Sequence, residues 1–262
     1  MENILKEKLK KGTKPIGTFF ELGSPSVVEA LGRTGLDFII LDNEHGPFEA
    51  ESSRDFVRAA ENAGLTAIAR VREVSRPAIL KLLDVGVQGL IIPDIHTVAQ
   101  VQEIVDYAKY FPLGKRGFCP SRKDGWGFDS MAQQSVPDQM KYWNEQILLI
   151  PQCETVGALE SIEDIVRMDG VDGIFIGPFD LSISMGIPGQ FDHPAFIAAL
   201  EKVQKSCKDA GKFCMIFAGT PAAVAERLQQ GYDAVAYGLD ASVLISAYKT
   251  NLAEIRTKAG LV

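Results

Sequence analysis

Short apolar runs and longer amphipathic stretches take turns along the whole chain. The runs fall at 15–21, 37–41, 66–71, 88–92, 147–152, 173–176, 213–217 and 234–237, and each is continuously apolar rather than alternating. Strands covered by helices on both faces read this way, because neither face meets water. Between the runs, segments such as 24–35, 50–64 and 221–231 carry apolar residues at helical spacing. Gly64 and Gly231 stand where such helices would stop. Eight strand-then-helix units joined by right-handed crossovers predict an α/β fold, a closed (β/α)8 TIM barrel. No Pro/Ser-rich linker and no compositional break divides the chain, so residues 1–262 are expected to form a single barrel domain. The longest irregular stretch, 112–136, interleaves glycines with Phe118, Trp126 and Phe128. Its aromatic content predicts a packed, lid-like loop or a subunit contact rather than a disordered segment.

Composition narrows the functional classes. The chain has 262 residues, 46% of them hydrophobic, enough for one large core. A net charge of −7, with no basic stripe carrying aromatics, argues against a nucleic-acid partner. The Lys-rich stretch 6–14 reads as a solvated terminal helix. No run approaches the roughly 18 apolar residues of a membrane span, and the charged N-terminus lacks the apolar core of a signal peptide. A cytoplasmic protein is therefore expected. Its cysteines, Cys119, Cys153, Cys207 and Cys214, show no CxxC spacing and are expected to be reduced. A nucleophilic role for Cys153 is the less favoured alternative.

On a barrel the chemistry gathers where strands end, so the polar residues that follow each apolar run are the candidates. Glu154 and Asp180 follow strands five and six, adjacent in a barrel. Like charges that close are costly unless a proton or cation lies between them. Hard divalent cations such as Mg2+ or Mn2+ accept two carboxylates and fill the remaining positions with water and substrate oxygens. Against this stands a simpler reading in which each acid caps the helix after it. His45 follows strand two in a turn with Asp42 and Glu44, a setting that suits a base; His96 and His193 look like surface or capping residues. Arg70 ends strand three and cannot shed its charge, so it needs an anionic partner, Glu44 or Glu154, or else stabilises a developing oxyanion. No lysine is placed to form a Schiff base, and no dinucleotide fingerprint, P-loop or nucleophile elbow is present.

Four motifs in order, Leu41-Asp-Asn-Glu-His-Gly-Pro47, Ala69-Arg-Val71, Pro151-Gln-Cys-Glu154 and Ile176-Gly-Pro-Phe-Asp-Leu-Ser182, resemble those of the HpcH/HpaI aldolase family, and the resemblance spans nearly the whole chain. It implies a class II aldolase that reversibly cleaves a 4-hydroxy-2-oxo acid to pyruvate and an aldehyde. By residue, it implies metal ligation by Glu154 and Asp180, His45 as the base, Asp84 as the acid that raises its basicity, and Arg70 as transition-state stabiliser. It also implies that Gln152 and the backbone around Phe179 and Asp180 bind the keto acid. The implied cofactor is a divalent cation, Mg2+ or Mn2+ first, with Co2+ or Zn2+ as further candidates. The implied partners are a small 2-oxo acid and an aldehyde, with no nucleic acid and no membrane. A homotrimer or homohexamer with an exchanged C-terminal helix follows from the same resemblance. Phe118 and Trp126 in the long loop are expected to shape the aldehyde side of the pocket, where Arg122 or Lys123 would favour an acidic aldehyde. A citrate lyase β-like acyl-CoA lyase is the alternative on the same fold. A non-catalytic binding or assembly barrel is the alternative from another class.

Overall fold

The computed structural model describes residues 2–261. Among them eight parallel strands close into a barrel in chain order: β1 (Ile16–Phe20), β2 (Phe38–Asp42), β3 (Thr66–Arg70), β4 (Gly89–Ile92), β5 (Leu148–Cys153), β6 (Gly173–Ile176), β7 (Phe213–Ala218) and β8 (Ala234–Leu239). The helices are α1 (Ile4–Lys10), α2 (Pro25–Leu31), α3 (Ala50–Ala63), α4 (Arg76–Val85), α5 (Val98–Ala108), α6 (Val136–Gln146), α7 (Val156–Glu160), α8 (Ile162–Arg167), α9 (Pro178–Ser184), α10 (Pro194–Asp209), α11 (Pro221–Gln229) and α12 (Asp240–Lys258). Every apolar run forms a strand. Gly64 ends α3 in the left-handed conformation, φ 76°, as its position predicts. No helix among the described residues is long and apolar enough to cross a membrane.

The two-sided apolarity of the strands makes two hydrophobic layers. Inward side chains, including Phe19, Phe38, Ile40, Ile68, Ile150, Phe175 and Met215, fill the barrel. Outward ones pack beneath the helices. The helix α1 is not the solvated segment its lysines suggested. Leu5 and Leu9 are buried with the barrel interior, so α1 plugs the end where the strands begin. Its polar face binds acids there, Lys6 to Asp172 at 2.6 Å and Lys8 to Asp37 at 2.5 Å.

The strand β8 runs two residues beyond its apolar run because of an irregularity. Its register with β1 shifts between Gly17 and Phe19, and Gly238 adopts φ 58°, a conformation that a residue without Cβ reaches without strain. Beyond it, Leu239 packs against the barrel interior and the buried Asp240 accepts hydrogen bonds from the N–H groups of Glu21 (3.0 Å) and Leu22 (3.1 Å).

The long loop does not cover its own barrel mouth. Within 112–136 the chain makes 3-10 turns at Arg122–Gly127 and Ser130–Gln133. Arg122 pairs with Glu61 and donates to Val85 O at 3.1 Å, both at helix ends that face the strand starts. Lys123 is buried against Asp124 at 3.0 Å. Both cations expected to receive an acidic aldehyde are thus engaged elsewhere in the chain. The cysteines are free, with Cys119 exposed and the others buried. Cys153 lies buried in the layer beneath the helices, and that burial pushes its thiol up to about 12, which speaks against a nucleophilic role.

Candidate active site

Alternate residues on a strand share a face, so the last inward residues of the strands ring the barrel mouth. Arg70 lies two residues beyond Ile68, and Asp42 two beyond Ile40; the two are in register across β2 and β3. That register sets the strongest contact of the site. Arg70 Nε donates to Asp42 Oδ1 at 2.9 Å and Nη2 to Oδ2 at 2.5 Å. The expected partners were Glu44 or Glu154, yet the fully buried Asp42 takes the fork. A bidentate carboxylate matches the planar guanidinium and offsets the cost of burying it. Glu44 comes second, its Oε2 3.2 Å from Arg70 Nε. Because that N–H is aimed at Asp42, Glu44 Oε2 is left buried without a hydrogen bond. The face of Phe19 packs under the guanidinium, 4.8 Å from its carbon.

Asp42 also shapes the turn that follows. Its Oδ1 accepts from the N–H groups of Glu44 (3.1 Å) and His45 (3.3 Å), the local side-chain-to-backbone bonding that favours Asp at turns. The His45 ring stands mostly in solvent, its Nε2 4.0 Å from Glu44 Oε2. Asp84 is not brought to it. Asp84 lies in the last turn of α4, where Arg116 Nη2 holds its carboxylate at 2.8 Å. His96 pairs with Asp94 at 2.7 Å and His193 caps α10, as surface and capping residues do.

Glu154 sits just past β5, buried. Its Oε1 accepts from Asp94 N–H at 2.7 Å and its Oε2 contacts Gln152 Nε2. Gly177 is needed for that approach: a Cβ there would stand 2.7 Å from Gln152 Nε2 and 2.9 Å from Glu154 Oε2. The Glu154 carboxyl is pushed up to about 7, first by burial and then by Glu44 and Asp180, against the opposing Asp94 N–H and Arg70. Glu44 is raised too, chiefly by burial, with Arg70 and His45 opposing. Asp180, in the first turn of α9, is exposed at the rim. Phe179 beside it packs edge-on against Phe191 at 5.0 Å. As first-turn residues, Phe179 and Asp180 have N–H groups without intrahelical acceptors.

A cavity of about 140 Å3 opens between these groups, lined by Phe19, Glu21, Arg70, Gln152, Phe175, Gly177, Pro178, Phe179, Asp180, Phe217 and Leu239. No residue of 112–136 lines it. Among the described residues no cluster of three or more His, Cys, Asp or Glu side chains forms a ready metal cage. The donor set is instead open. Glu154 and Asp180 offer two carboxylates, and Gln152 Oε1 is a buried acceptor without a partner. Two carboxylates beside an unserved oxygen fit a hard divalent cation completed by water and substrate. Strand-end reasoning found Arg70, Glu154 and Asp180, and the family resemblance Gln152, but neither found the Arg70–Asp42 fork or the inward Glu21. Counting two residues on from Phe19 and from Ile40 on the inward face would have found both.

The mouth of this parallel barrel gathers acids and an arginine around a small cavity, with the exposed His45 ring outside its lining. Residues 15–247 match the HpcH/HpaI aldolase/citrate lyase family; the chain belongs to it and is a carbon–carbon lyase. A 2-keto-3-deoxy-L-rhamnonate aldolase from Salmonella paratyphi B is 31% identical over 98% of this chain and 94% of its own length. The crystal structure of an HpcH/HpaI aldolase from Desulfitobacterium hafniense DCB-2 is similar with a TM-score of 0.88, at 30% identity over 96% of each chain. By contrast, a citrate lyase β subunit from M. tuberculosis, covering 86% of this chain and 91% of its own, has 15% identity and a TM-score of 0.56 and shares the fold alone. The acyl-CoA lyase alternative is not favoured.

Proposed function

We propose that the mouth of the barrel carries out a divalent-metal-dependent, reversible cleavage of a 4-hydroxy-2-oxo acid into pyruvate and an aldehyde. The observation that carries this reading is the convergence of Glu154, Asp180 and Gln152 beside Arg70. Glu154 and Asp180 would hold the cation, Mg2+ or Mn2+ by the hardness of its donors. When bound, it supplies Lewis-acid stabilisation of negative charge on the 2-oxo oxygen. His45 takes the proton of the C4 hydroxyl, and the C3–C4 bond breaks. Its electron pair stays with C3 as the enolate of pyruvate, and C4 leaves as the aldehyde carbon. Solvent water then protonates C3 to give pyruvate, and His45 gives its proton to the hydroxide left behind, which restores the base. Arg70, fixed by Asp42, donates toward the oxygen that gains charge. Free N–H groups of Phe179 and Asp180 suit the carboxylate of the oxo acid. The Salmonella relative's substrate, by its name a 2-keto-3-deoxy sugar acid, has this connectivity.

A homotrimer or homohexamer in a cytoplasmic setting completes the reading. Beyond Asp240, α12 buries none of its residues, and it exposes Leu244, Ile245, Tyr248, Leu252 and Ile255. Exchange of this helix between copies would cover that row. Within one chain Asp84 is held by Arg116 in the last turn of α4, so for Asp84 to act on His45 it would have to come from a neighbouring copy.

The direct test is pyruvate release from a panel of 4-hydroxy-2-oxo acids, with and without EDTA. Turnover should stop with chelator and return with Mg2+ or Mn2+. Turnover that persists in EDTA, with an adduct trapped by borohydride, would overturn the reading. Replacing His45 by Ala should lower kcat by roughly 10²–10⁴-fold.

A further inference from the structure

Glu21 takes no part in the chemistry above, yet it lines the same cavity. It lies two residues beyond Phe19, whose ring packs inside the barrel against Phe175 at 6.0 Å and Phe217 at 5.9 Å. The same inward face therefore carries Glu21 one step higher, at the mouth. Its backbone is fixed by Asp240 at 3.0 Å. No hydrogen bond or ion pair engages its carboxylate among the described residues, although the side chain is half-buried. Burial, then Asp42 and Asp240, raise this carboxyl, while Arg70 and His45 oppose them.

Apart from Glu21, Arg70, Gln152 and Asp180 the cavity lining has no polar side chain, and Phe19, Phe179, Phe217 and Leu239 supply much of it. The one cation lining the cavity, Arg70, already faces Asp42 and Glu44. The loop cations Arg122 and Lys123 are paired at the other end of the barrel. A negative aldehyde would thus meet an unpaired acid and no free cation. A hydroxyl-bearing neutral aldehyde would instead donate to an acceptor that has no donor of its own.

We infer that Glu21 is the specificity-determining residue on the aldehyde side, accepting a hydroxyl of a neutral hydroxyaldehyde and excluding anionic aldehydes. This rests on the aldolase reading, and the two are tested separately.

Aldol addition of pyruvate is measured with glyceraldehyde and with succinic semialdehyde on wild type, Glu21→Gln and Glu21→Arg, with Mg2+ present. Wild type should favour glyceraldehyde in kcat/KM. Glu21→Gln keeps an acceptor but removes its charge, which weakens the bond to the hydroxyl and lifts the exclusion of anions, and should cut that preference roughly 10–100-fold. Glu21→Arg should invert it. Because each comparison is a ratio within one preparation, partial misfolding does not alter it. The aldolase reading is checked on wild type without aldehyde, by deuterium entry into the pyruvate methyl group in D2O. If exchange occurs but the aldehyde ratio stays within about twofold in both variants, the inference about Glu21 fails alone. If no exchange and no addition occur, the aldolase reading fails.

Discussion

Both ends of this barrel bury charge, and they treat it in opposite ways. Where the strands begin, Lys109 is all but fully buried, yet Nζ donates to Asn144 O (3.0 Å), Ile147 O (2.5 Å) and Asp172 (3.1 Å). Asp172 in turn accepts from Lys6 and from Leu149 N–H at 2.9 Å. Its carboxyl is held low by Lys109 and Lys6 against the burial that would raise it. Within this Lys109–Asp172 cluster every partner is spoken for. Where the strands end, one arginine faces Asp42, Glu44, Glu154, Asp180 and Glu21, and Glu44 Oε2 and Gln152 Oε1 have no partner. A saturated cluster holds the fold, whereas an unsaturated one waits for a ligand. The difference shows in satisfaction rather than in the number of charges.

The largest effect expected from breaking this contrast is at the saturated end. Asp172→Asn would leave Lys109 buried without its counter-charge and should cost about 3–5 kcal/mol in urea unfolding. Turnover per folded molecule should stay as it is; a matching loss of kcat would show that the two ends are not separate. At the mouth the sign should reverse. Glu154 is held near 7 in the folded chain against an ordinary 4.5. The folded state therefore binds this proton more tightly than the unfolded chain does. Stability from this group is full below about 4.5 and is lost as pH rises through about 7. Metal-free protein should thus weaken between pH 5 and pH 8 by at most about 3 kcal/mol at this site. Glu154→Gln should flatten that slope, raise stability at pH 8 and abolish activity. Added Mg2+ should protect wild type but not the variant, and a variant that still melts higher with Mg2+ would remove Glu154 from the metal site. The smallest effect concerns thiols. In native protein a mild thiol reagent should modify Cys119 alone, with Cys153, Cys207 and Cys214 reacting only after unfolding.

Much of this was legible before any coordinates. Parallel strands under helices leave continuous apolar runs, so β1 to β7 lie within one residue of their expected ends. The end of β8 escaped because Gly238 reads as a turn residue, and only pairing with β1 reveals the bulge. Strand ends named Arg70, Glu154 and Asp180 because barrel chemistry gathers there. They named Glu44, which does pair with Arg70, but missed the stronger partner Asp42, its neighbour through cross-strand register, which sequence distance does not encode. The loop at 112–136 misled in another way. Its aromatics promised packing, yet Trp126 and Phe128 stand exposed and only Phe118 packs on a ring, that of Tyr110; composition also carries no direction, and Arg122 ties the loop to Glu61 at the opposite end.

One consequence lies in how Asp240 braces the start of the first loop. It grips the main chain of Glu21 and Leu22 and makes no demand on the side chain that Glu21 presents. The scaffold there is indifferent to what it displays. On the reading proposed for Glu21, a lineage retools its choice of aldehyde by single codon changes at position 21, leaving Arg70, Gln152, Glu154 and Asp180 inherited intact.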